Sequence, residues 1–167
     1  GDALAVQWMS RNDFSTNDFA INHPAGNLGK KLTLTVNDLM IPINKIKPLN
    51  LKSSLLEVLK VITYDGLGFA WVQDNTKDGK FLGIITDGDL RRTLSNKPLK
   101  NWDELYAKDF VTFSPLFISS NSLAIDALKK MENNPKKRVS MLPVMDKDKI
   151  IGFVNLHSLV SAGIKNA

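Results

Sequence analysis

The hydrophobic and polar positions of the chain form two similar series. In the first, Ser54 and Glu57 form a capping box that predicts the start of a helix. One apolar face at helical spacing follows, formed by Leu55, Val58, Leu59 and Ile62. The apolar runs 69–72 and 81–86 come next, separated by the polar turn 74–80, and predict two strands before a further helix.

The same order of elements returns in the second half of the chain. Ser122 can cap a helix. The apolar face of that helix contains Leu123, Ala127, Leu128 and Met131. The runs 139–144 and 150–155 predict two more strands, and a last helix extends to about Gly163.

Corresponding positions in the two series keep a nearly constant separation. Gly83 precedes Gly152 by 69 residues, and Asp38 precedes Asp109 by 71. Such a separation indicates an internal repeat. We therefore predict an α/β chain of the α+β type with two β-α-β-β-α repeats. Since neither repeat has enough core alone, they should pack through their sheets with pseudo-twofold symmetry.

Composition excludes several kinds of site and of protein. The 167 residues include no cysteine, so disulfides, thiolate zinc sites and cysteine nucleophiles are excluded. No apolar run reaches the roughly 18 residues that a membrane span needs. The first residues also lack the basic start of a signal peptide. We therefore expect a cytoplasmic protein with no membrane segment.

The net charge of +5 leaves nucleic acid and anionic small ligands open as partners. The lysines are mostly scattered, and the one dense patch is 136–138, with Lys129 and Lys130 shortly before it. No aromatic side chains interleave with this patch, as a stacking platform for bases would require. A solvated face is the favoured interpretation, and a nucleic-acid partner is disfavoured.

The stretch GIITDGDLRR, residues 83–92, joins an apolar strand to a charged helix. A calcium loop needs oxygen ligands over about 12 residues with a closing Glu, whereas Arg91 and Arg92 follow Asp89 here. We therefore expect no metal. A helix cap fits well, because Thr86 and Asp89 match the pattern in which Thr caps and an acid occupies the first turn.

The same geometry suits a phosphorylated ligand. Where a strand runs directly into a helix, free N–H groups point outward from the N-terminal end of the helix and can form an anion site. Thr86 can add a hydroxyl donor to a phosphate. The carboxylate of Asp89 lies on the same side of the helix and can accept hydrogen bonds from two vicinal hydroxyls. Vicinal hydroxyls beside a phosphate describe a ribonucleotide.

The second repeat keeps the cap and loses the carboxylate. Asn155 takes the place of Thr86, and Ser158 takes the place of Asp89. Asparagine is a good helix cap, but a serine hydroxyl cannot bind a diol as a carboxylate does. We therefore expect the first corner to be the main ligand site and the second, which also includes Met141, to be weaker.

The repeated pattern, with GIITDGDL closing the first copy, resembles a tandem pair of cystathionine-β-synthase (CBS) domains, or Bateman module. In that family the T-x-x-D pair holds the phosphate and ribose of a nucleotide, which the resemblance assigns here to Thr86 and Asp89. It also implies that the segment before the preceding strand supplies the pocket for the base. The further site residues taken from the resemblance are Leu67, Phe69, Trp71 and Asp87.

The start of the chain narrows the resemblance. The segments GDALAV, DFAINHPAGNLGKKL and VNDLM are similar to the arabinose 5-phosphate isomerase family, in which a sugar isomerase (SIS) domain precedes a CBS pair. This resemblance divides the chain into three parts. Residues 1–34 would be the tail of the SIS domain with a linker, and 35–98 and 99–167 would be the two CBS domains.

His23 is the candidate catalytic residue. Its own surroundings, a turn rich in proline and glycine, favour a plain turn residue. The resemblance makes it the catalytic histidine of the full-length enzyme, where an imidazole suits proton transfer. Asn22 and Ala25 depart from the Ser and Gly that are usual beside it. Because the family's other catalytic groups lie in the SIS domain, we expect this chain to be inactive alone.

The two resemblances together imply a regulatory module. The parent enzyme would interconvert D-arabinose 5-phosphate and D-ribulose 5-phosphate for lipopolysaccharide synthesis, without a cofactor. The module would bind a nucleotide or a nucleotide sugar, with a CMP-linked sugar as the feedback candidate. It would contact its own SIS domain in a homo-oligomer. Two alternatives stay open: a structural oligomerisation module without a ligand, and a nucleic-acid-binding module.

Overall fold

The computed structural model describes residues 33–64, 66–76, 79–133 and 139–165. The predictions for residues 1–32, which include His23, lie outside these ranges, as does the basic patch 136–138. In the described residues, the elements of the two predicted series follow in the predicted order, and a short strand at Ile41–Pro42 is added. None of the helices there has the length and apolar character to cross a membrane, and the longest, Leu55–Tyr64, has 10 residues.

The bounds of the elements are as follows. The helices are α1 Val36–Leu39, α2 Leu55–Tyr64, α3 Asp87–Ser95, α4 Ala124–Glu132 and α5 Leu156–Ser161. The strands are β1 Ile41–Pro42, β2 Leu49–Asn50, β3 Phe69–Gln73, β4 Phe81–Thr86, β5 Ile118–Ser119, β6 Met141–Asp146 and β7 Lys149–Asn155. Segments of 3₁₀ helix lie at Ile43–Lys45, Leu99–Glu104 and Ala107–Asp109.

Helix α2 begins where the capping box predicts. The Ser54 N–H donates to Glu57 Oε2 at 2.7 Å, and the Glu57 N–H donates to Ser54 Oγ at 3.3 Å. Val58 and Ile62 are buried, whereas Leu56 on the opposite side is exposed. The predicted apolar face is therefore the face that packs on the sheet.

Helix α4 begins one residue later than predicted. Leu123 was expected inside the helix, but it occupies the N-cap in an extended conformation. Its backbone forms an antiparallel bridge with Thr35, and the N–H of Ala124 donates to the carbonyl of Leu34 at 2.8 Å. A contact with the start of the first repeat therefore holds Leu123 outside the helix, against its local preference.

Each of the two sheets is built around an antiparallel hairpin that comes from one repeat. The strand order is β2-β3-β4 in the first sheet and β1-β7-β6-β5 in the second. In both sheets a short strand runs parallel to the first strand of the hairpin, β2 beside β3 and β5 beside β6. Both hairpins have a register shift at corresponding points, between Val72 and Gln73 and between Val144 and Met145. The predicted repeat is thus confirmed in strand pairing as well as in element order.

Backbone from near the start of each repeat pairs with the last hairpin strand of the other repeat. Strand β1 lies antiparallel to β7, with Ile41 opposite Phe153. In the reciprocal position Thr112 bridges Ile84 of β4. The Thr112 N–H donates to the Ile84 carbonyl at 2.8 Å, and the Ile84 N–H donates back to the Thr112 carbonyl at 3.2 Å. Each hairpin is therefore flanked by chain from the other half.

Two glycines at corresponding positions make this approach possible. A Cβ on Gly83 would lie 2.3 Å from the carbonyl oxygen of Thr112, and a Cβ on Gly152 would lie 2.6 Å from that of Ile41. Cβ atoms do not approach backbone oxygens so closely, so any side chain would push the strands apart. The two glycines, which occupy corresponding positions of the repeats, therefore mark the two points where the repeats join.

The buried core has three parts. One lies between the first sheet and its helices, one between the second sheet and its helices, and one between the two sheets. The buried members of the third part are Ile46, Phe69, Trp71, Ile84, Met141 and Phe153. The rings of Phe69 and Phe153 meet there with their centres 5.0 Å apart. The prediction that the repeats pack through their sheets is confirmed.

Replacing Gly83 or Gly152 by alanine is expected to destabilise the chain, because the methyl group would overlap backbone atoms that cannot move aside. Overpacking of this kind costs about 1–3 kcal/mol, which urea unfolding would measure. Gly88→Ala is the matched control, since its Cβ would meet only side-chain atoms, Nη1 of Arg92 at 3.4 Å and Oγ1 of Thr86 at 3.7 Å. Alanine should also favour α3 by about 0.5–1 kcal/mol there. Equal stability of Gly83→Ala and Gly88→Ala would contradict the close approach.

Asp38 at the start of α1 is expected to make stability depend on pH. Its carboxylate accepts hydrogen bonds from the Thr35 hydroxyl at 2.7 Å and the Thr35 N–H at 2.9 Å, and these hold its pKa below the ordinary value. Such a group stabilises the folded chain above its unfolded pKa, and the contribution is lost as pH falls through the folded pKa.

Asp38→Ala should therefore lower the urea midpoint near neutral pH, and its gap to the native chain should narrow as the solution approaches about pH 3. Asp103→Ala, in the 3₁₀ segment Leu99–Glu104, controls for the lost charge. A gap for Asp38→Ala that stays constant over this range would show that its carboxylate contributes nothing through the cap.

Candidate functional site

A cleft of about 970 Å³ is lined by both repeats. The first repeat contributes the loop 66–69 and the corner where β4 enters α3. The second contributes residues 139–141 and the corner where β7 enters α5. The segment that pairs with β4 through Thr112 forms a further wall, with Ser114, Pro115 and Leu116. Both predicted corners therefore face one continuous space.

The β4–α3 corner has the predicted cap. The Thr86 N–H donates to Asp89 Oδ2 at 2.9 Å, and the Thr86 hydroxyl donates to the same oxygen at 2.5 Å. The other carboxylate oxygen accepts a hydrogen bond from Nη2 of Arg92, and the two side chains form an ion pair. Asp89 is only 8% exposed and still borders the cleft. A largely buried carboxylate therefore forms part of the cleft wall.

These contacts change the expected role of Thr86. Its hydroxyl hydrogen points to Asp89, so it would have to leave the carboxylate before it could bind a phosphate. In the first turn of α3, the N–H of Asp87 donates to the carbonyl of Gly68 and that of Asp89 donates to the Thr86 side chain. The remaining backbone donor of this turn is the N–H of Gly88. The guanidinium groups of Arg91 and Arg92 also border the cleft.

The loop before β3 closes against the same corner. Gly66 and Gly68 have φ angles of +61° and +70°, a region that glycine adopts without strain. The carbonyl of Gly68 accepts the N–H of Asp87 at 3.2 Å. A Cβ on Gly68 would lie 3.3 Å from Asp87 Oδ2. This loop therefore reaches the start of α3 and brings Leu67 to the cleft.

Most of the residues that the sequence predicted for the site line the cleft. On the first repeat these are Leu67, Phe69, Thr86, Asp87 and Asp89. On the second they are Met141 and Asn155. Trp71 and Ser158 are not part of the lining.

Trp71 lies in the core rather than in the cleft. It is on the same face of β3 as Phe69 but two residues further along the strand. Its ring centre is 6.3 Å from that of Phe153, and its Nε1 donates to the carbonyl of Ile46 at 2.9 Å. The expectation that Trp71 contributes to a base pocket is therefore corrected, because its place is in the packing between the sheets.

The β7–α5 corner has the helix cap of the first corner but not its carboxylate. Asn155 Oδ1 accepts the N–H of Ser158 at 2.6 Å, as the sequence predicts. Helix α5 has 6 residues, and Ser158 brings no carboxylate to the position that corresponds to Asp89. Met141 and His157 border the cleft on this side. The two corners are therefore alike in backbone and unequal in chemistry.

Sequence reasoning missed Arg92, His157 and the segment 112–116 as parts of the site. Arg92 could have been found, because it follows Asp89 by three residues and such pairs share a helix face. His157 follows the cap Asn155 but belongs to no recognised pattern. The segment 112–116 carries no local motif, and only its pairing with β4 places it in the wall.

The charges at the cleft are mixed. Asp87 and Asp89 are acidic, and Arg91 and Arg92 are basic. Across the described ranges, no group of three or more histidine, aspartate or glutamate side chains could hold a metal ion. Donors and carboxylates side by side can bind a ligand that carries both an anionic group and hydroxyls.

Comparison with known proteins gives a consistent result. The family model of the CBS domain matches residues 36–96 and 107–165. The chain is 35% identical to arabinose 5-phosphate isomerase KdsD of Yersinia pestis over 164 residues, which is 98% of this chain and 48% of the relative. The chain thus spans about half the length of the curated relatives that it matches.

Solved structures show the same fold. CBSX2 of Arabidopsis thaliana in complex with AMP is similar with a TM-score of 0.62 and 25% identity, over 78% of this chain and 96% of that chain. The CBS domain of a bacterial CNNM/CorC family Mg²⁺ transporter in complex with ATP has a TM-score of 0.64 and 18% identity, over 81% of this chain and 91% of that chain. With two matches to one family model over most of its length, the chain belongs to the CBS-domain family as a tandem pair.

Proposed function

We propose that the chain is the regulatory module of an arabinose 5-phosphate isomerase and that its cleft binds a ribonucleotide or a nucleotide sugar. The observation that carries this proposal is the first corner. There Asp89 is buried at the wall of the cleft and held by Thr86 at the start of α3. The carboxylate can accept hydrogen bonds from hydroxyls, and the adjacent helix start can bind a phosphate.

The phosphate would bind at the first turn of α3. This helix has 9 residues, and its first N–H groups carry the positive end of the helix dipole. Gly88 in this turn has no side chain to block a close approach. Arg91 and Arg92 add positive charge at the same wall. The net charge of +5 also favours an anionic ligand over a neutral one.

The ribose would bind at Asp89. An ionised carboxylate only accepts hydrogen bonds. Oδ2 of Asp89 already accepts two of them from Thr86, so the ribose hydroxyls would bind mainly at Oδ1. Its burial strengthens such bonds, because the surroundings have a lower dielectric constant than water. The corresponding Ser158 in the second repeat has no second oxygen and does not line the cleft. We therefore assign the ribose to the first corner alone.

The base would lie against the apolar walls of the cleft. Leu67 and Phe69 line the side of the first repeat. Leu116 and Val160 line other walls and are 37% and 46% exposed. A mainly apolar cleft with a few polar groups is typical of small-molecule sites.

Similarity to known proteins supports both halves of the proposal. KdsD supports an isomerase as the parent, and the AMP complex of CBSX2 supports a nucleotide as the ligand. In the cytoplasm such a module would sense a CMP-linked sugar, the activated product of the pathway, or an adenine nucleotide. It would pass the signal to its own SIS domain within a homo-oligomer.

Asp89→Asn is expected to weaken binding of the ligand at least about tenfold, because the amide removes the charge and replaces an acceptor with a donor. Calorimetry with AMP, ATP and a CMP-linked sugar on the purified chain measures this. Asparagine keeps the shape of the side chain and one capping oxygen. Circular dichroism and the thermal midpoint should therefore show a folded variant.

Ser158→Ala is the matched control for Asp89→Asn. It changes the corresponding residue of the second repeat, which does not line the cleft. Its affinities should stay within about twofold of the native chain, as for substitutions away from a site. If the folded native chain binds none of the three ligands, the proposed function is wrong.

The isomerase activity of the relatives gives a second prediction. The purified chain should not convert D-arabinose 5-phosphate to D-ribulose 5-phosphate, because it matches only 48% of the Yersinia pestis enzyme. The resemblance also places the other catalytic groups in the SIS domain. A ketose-specific assay with full-length KdsD as positive control measures this. Turnover close to that of the control would contradict the proposal of a regulatory module.

A further inference from the structure

Arg92 lies across the mouth of the first corner. Its Nη2 donates to Asp89 Oδ1, and its Nη1 is 3.4 Å from the point where a Cβ on Gly88 would lie. The same point is 3.7 Å from the hydroxyl oxygen of Thr86. The guanidinium group therefore covers the first turn of α3 where that turn borders the cleft.

This contact makes Arg92 a competitor of a ribose at this corner. Oδ2 of Asp89 already receives the N–H and the hydroxyl of Thr86, and Oδ1 receives Arg92. A diol that approaches the carboxylate therefore competes with Arg92 for Oδ1. The side chain of Arg92 is 52% exposed and that of Asp89 is 10% exposed, so Arg92 is the partner with room to move.

A displaced Arg92 would remain next to the phosphate. A phosphate held at the N–H of Gly88, in the first turn of α3, lies where the guanidinium group already is. The planar set of donors on arginine matches two phosphate oxygens at once. These new bonds replace the lost contact with Asp89, but only if the ligand carries a phosphate.

We propose that Arg92 determines the specificity of the cleft for phosphorylated ribonucleosides. It holds Asp89 in the free chain and transfers to the phosphate when a nucleotide binds. A nucleoside without phosphate has to break the same ion pair and offers Arg92 no new partner. The second corner lacks this arginine–aspartate pair, since Ser158 and Ser161 occupy the corresponding positions. This inference rests on the proposed function, because it takes the ribose site at Asp89 as given.

The experiment compares AMP and CMP with adenosine and cytidine by calorimetry on the whole chain and on Arg92→Ala. Loss of the charge-assisted hydrogen bonds should weaken nucleotide binding about tenfold. Loss of the competing, half-exposed ion pair should strengthen nucleoside binding about two- to fivefold. The ratio of nucleotide to nucleoside affinity should therefore fall about 20-fold or more. A simple loss of stability would weaken both ligands and leave this ratio unchanged.

Two further variants sharpen the test. Lys97→Ala removes one positive charge just beyond the C-terminal end of α3, and it should change all four affinities by less than about twofold. Arg92→Lys keeps the charge without the planar set of donors and should keep only part of the nucleotide preference. Thermal midpoints show whether each variant is folded.

The outcomes separate this inference from the proposed function. If the native chain binds AMP or CMP and Arg92→Ala leaves the ratio unchanged, the inference is wrong and the proposed function stands. If Arg92→Ala binds nucleosides more tightly and nucleotides more weakly than the native chain does, competition by Arg92 and its transfer to the phosphate are both supported. If neither chain binds any of the four compounds, the inference is wrong, and the proposed function is wrong as well if ATP and the CMP-linked sugar also fail to bind.

Discussion

The fold depends on the backbone contacts at Gly83 and Gly152. At both points a strand of one repeat passes so close to backbone of the other that a Cβ would have no room. Because the exchange is reciprocal, neither sheet has all its pairing partners without the other half of the chain. These contacts fix the distance between the two hairpins. The core between the sheets and the cleft between the corners both follow from that distance.

The features of the fold that were predicted correctly are those that depend on local spacing. The capping box at Ser54 places the start of α2, and the apolar run 81–86 coincides with β4. The constant offset of the two glycines revealed a repeat but not its physical cause, because contact between distant backbones leaves no pattern in the nearby sequence. The start of α4 was misplaced for the same reason, since Leu123 is held by Thr35 of the other repeat.

The candidate site shows the same limit. The contacts of Thr86 with Asp89 follow from a separation of three residues, which sequence reasoning can use directly. Trp71 was misplaced because the resemblance assigned a whole segment to the base pocket, and a segment does not show how far along the strand the cleft extends. Arg92 could have been predicted, because it follows Asp89 by three residues and such residues share a helix face. The wall at 112–116 could not have been found in this way, because only its pairing with β4 of the other repeat brings it to the corner.

Thr112 belongs to two parts of the structure at once. It forms the backbone bridge to Ile84 and also lines the cleft. The free energy of joining the repeats and the free energy of filling the cleft therefore share this segment. Suppose that the affinity of a ligand depends on where this segment lies. By thermodynamic linkage, forming the bridge then changes the affinity by some factor, and binding of the ligand changes the equilibrium for forming the bridge by the same factor. A substitution that touches no ligand can thus alter binding through the joint, and an occupied cleft can alter how firmly the two halves hold together.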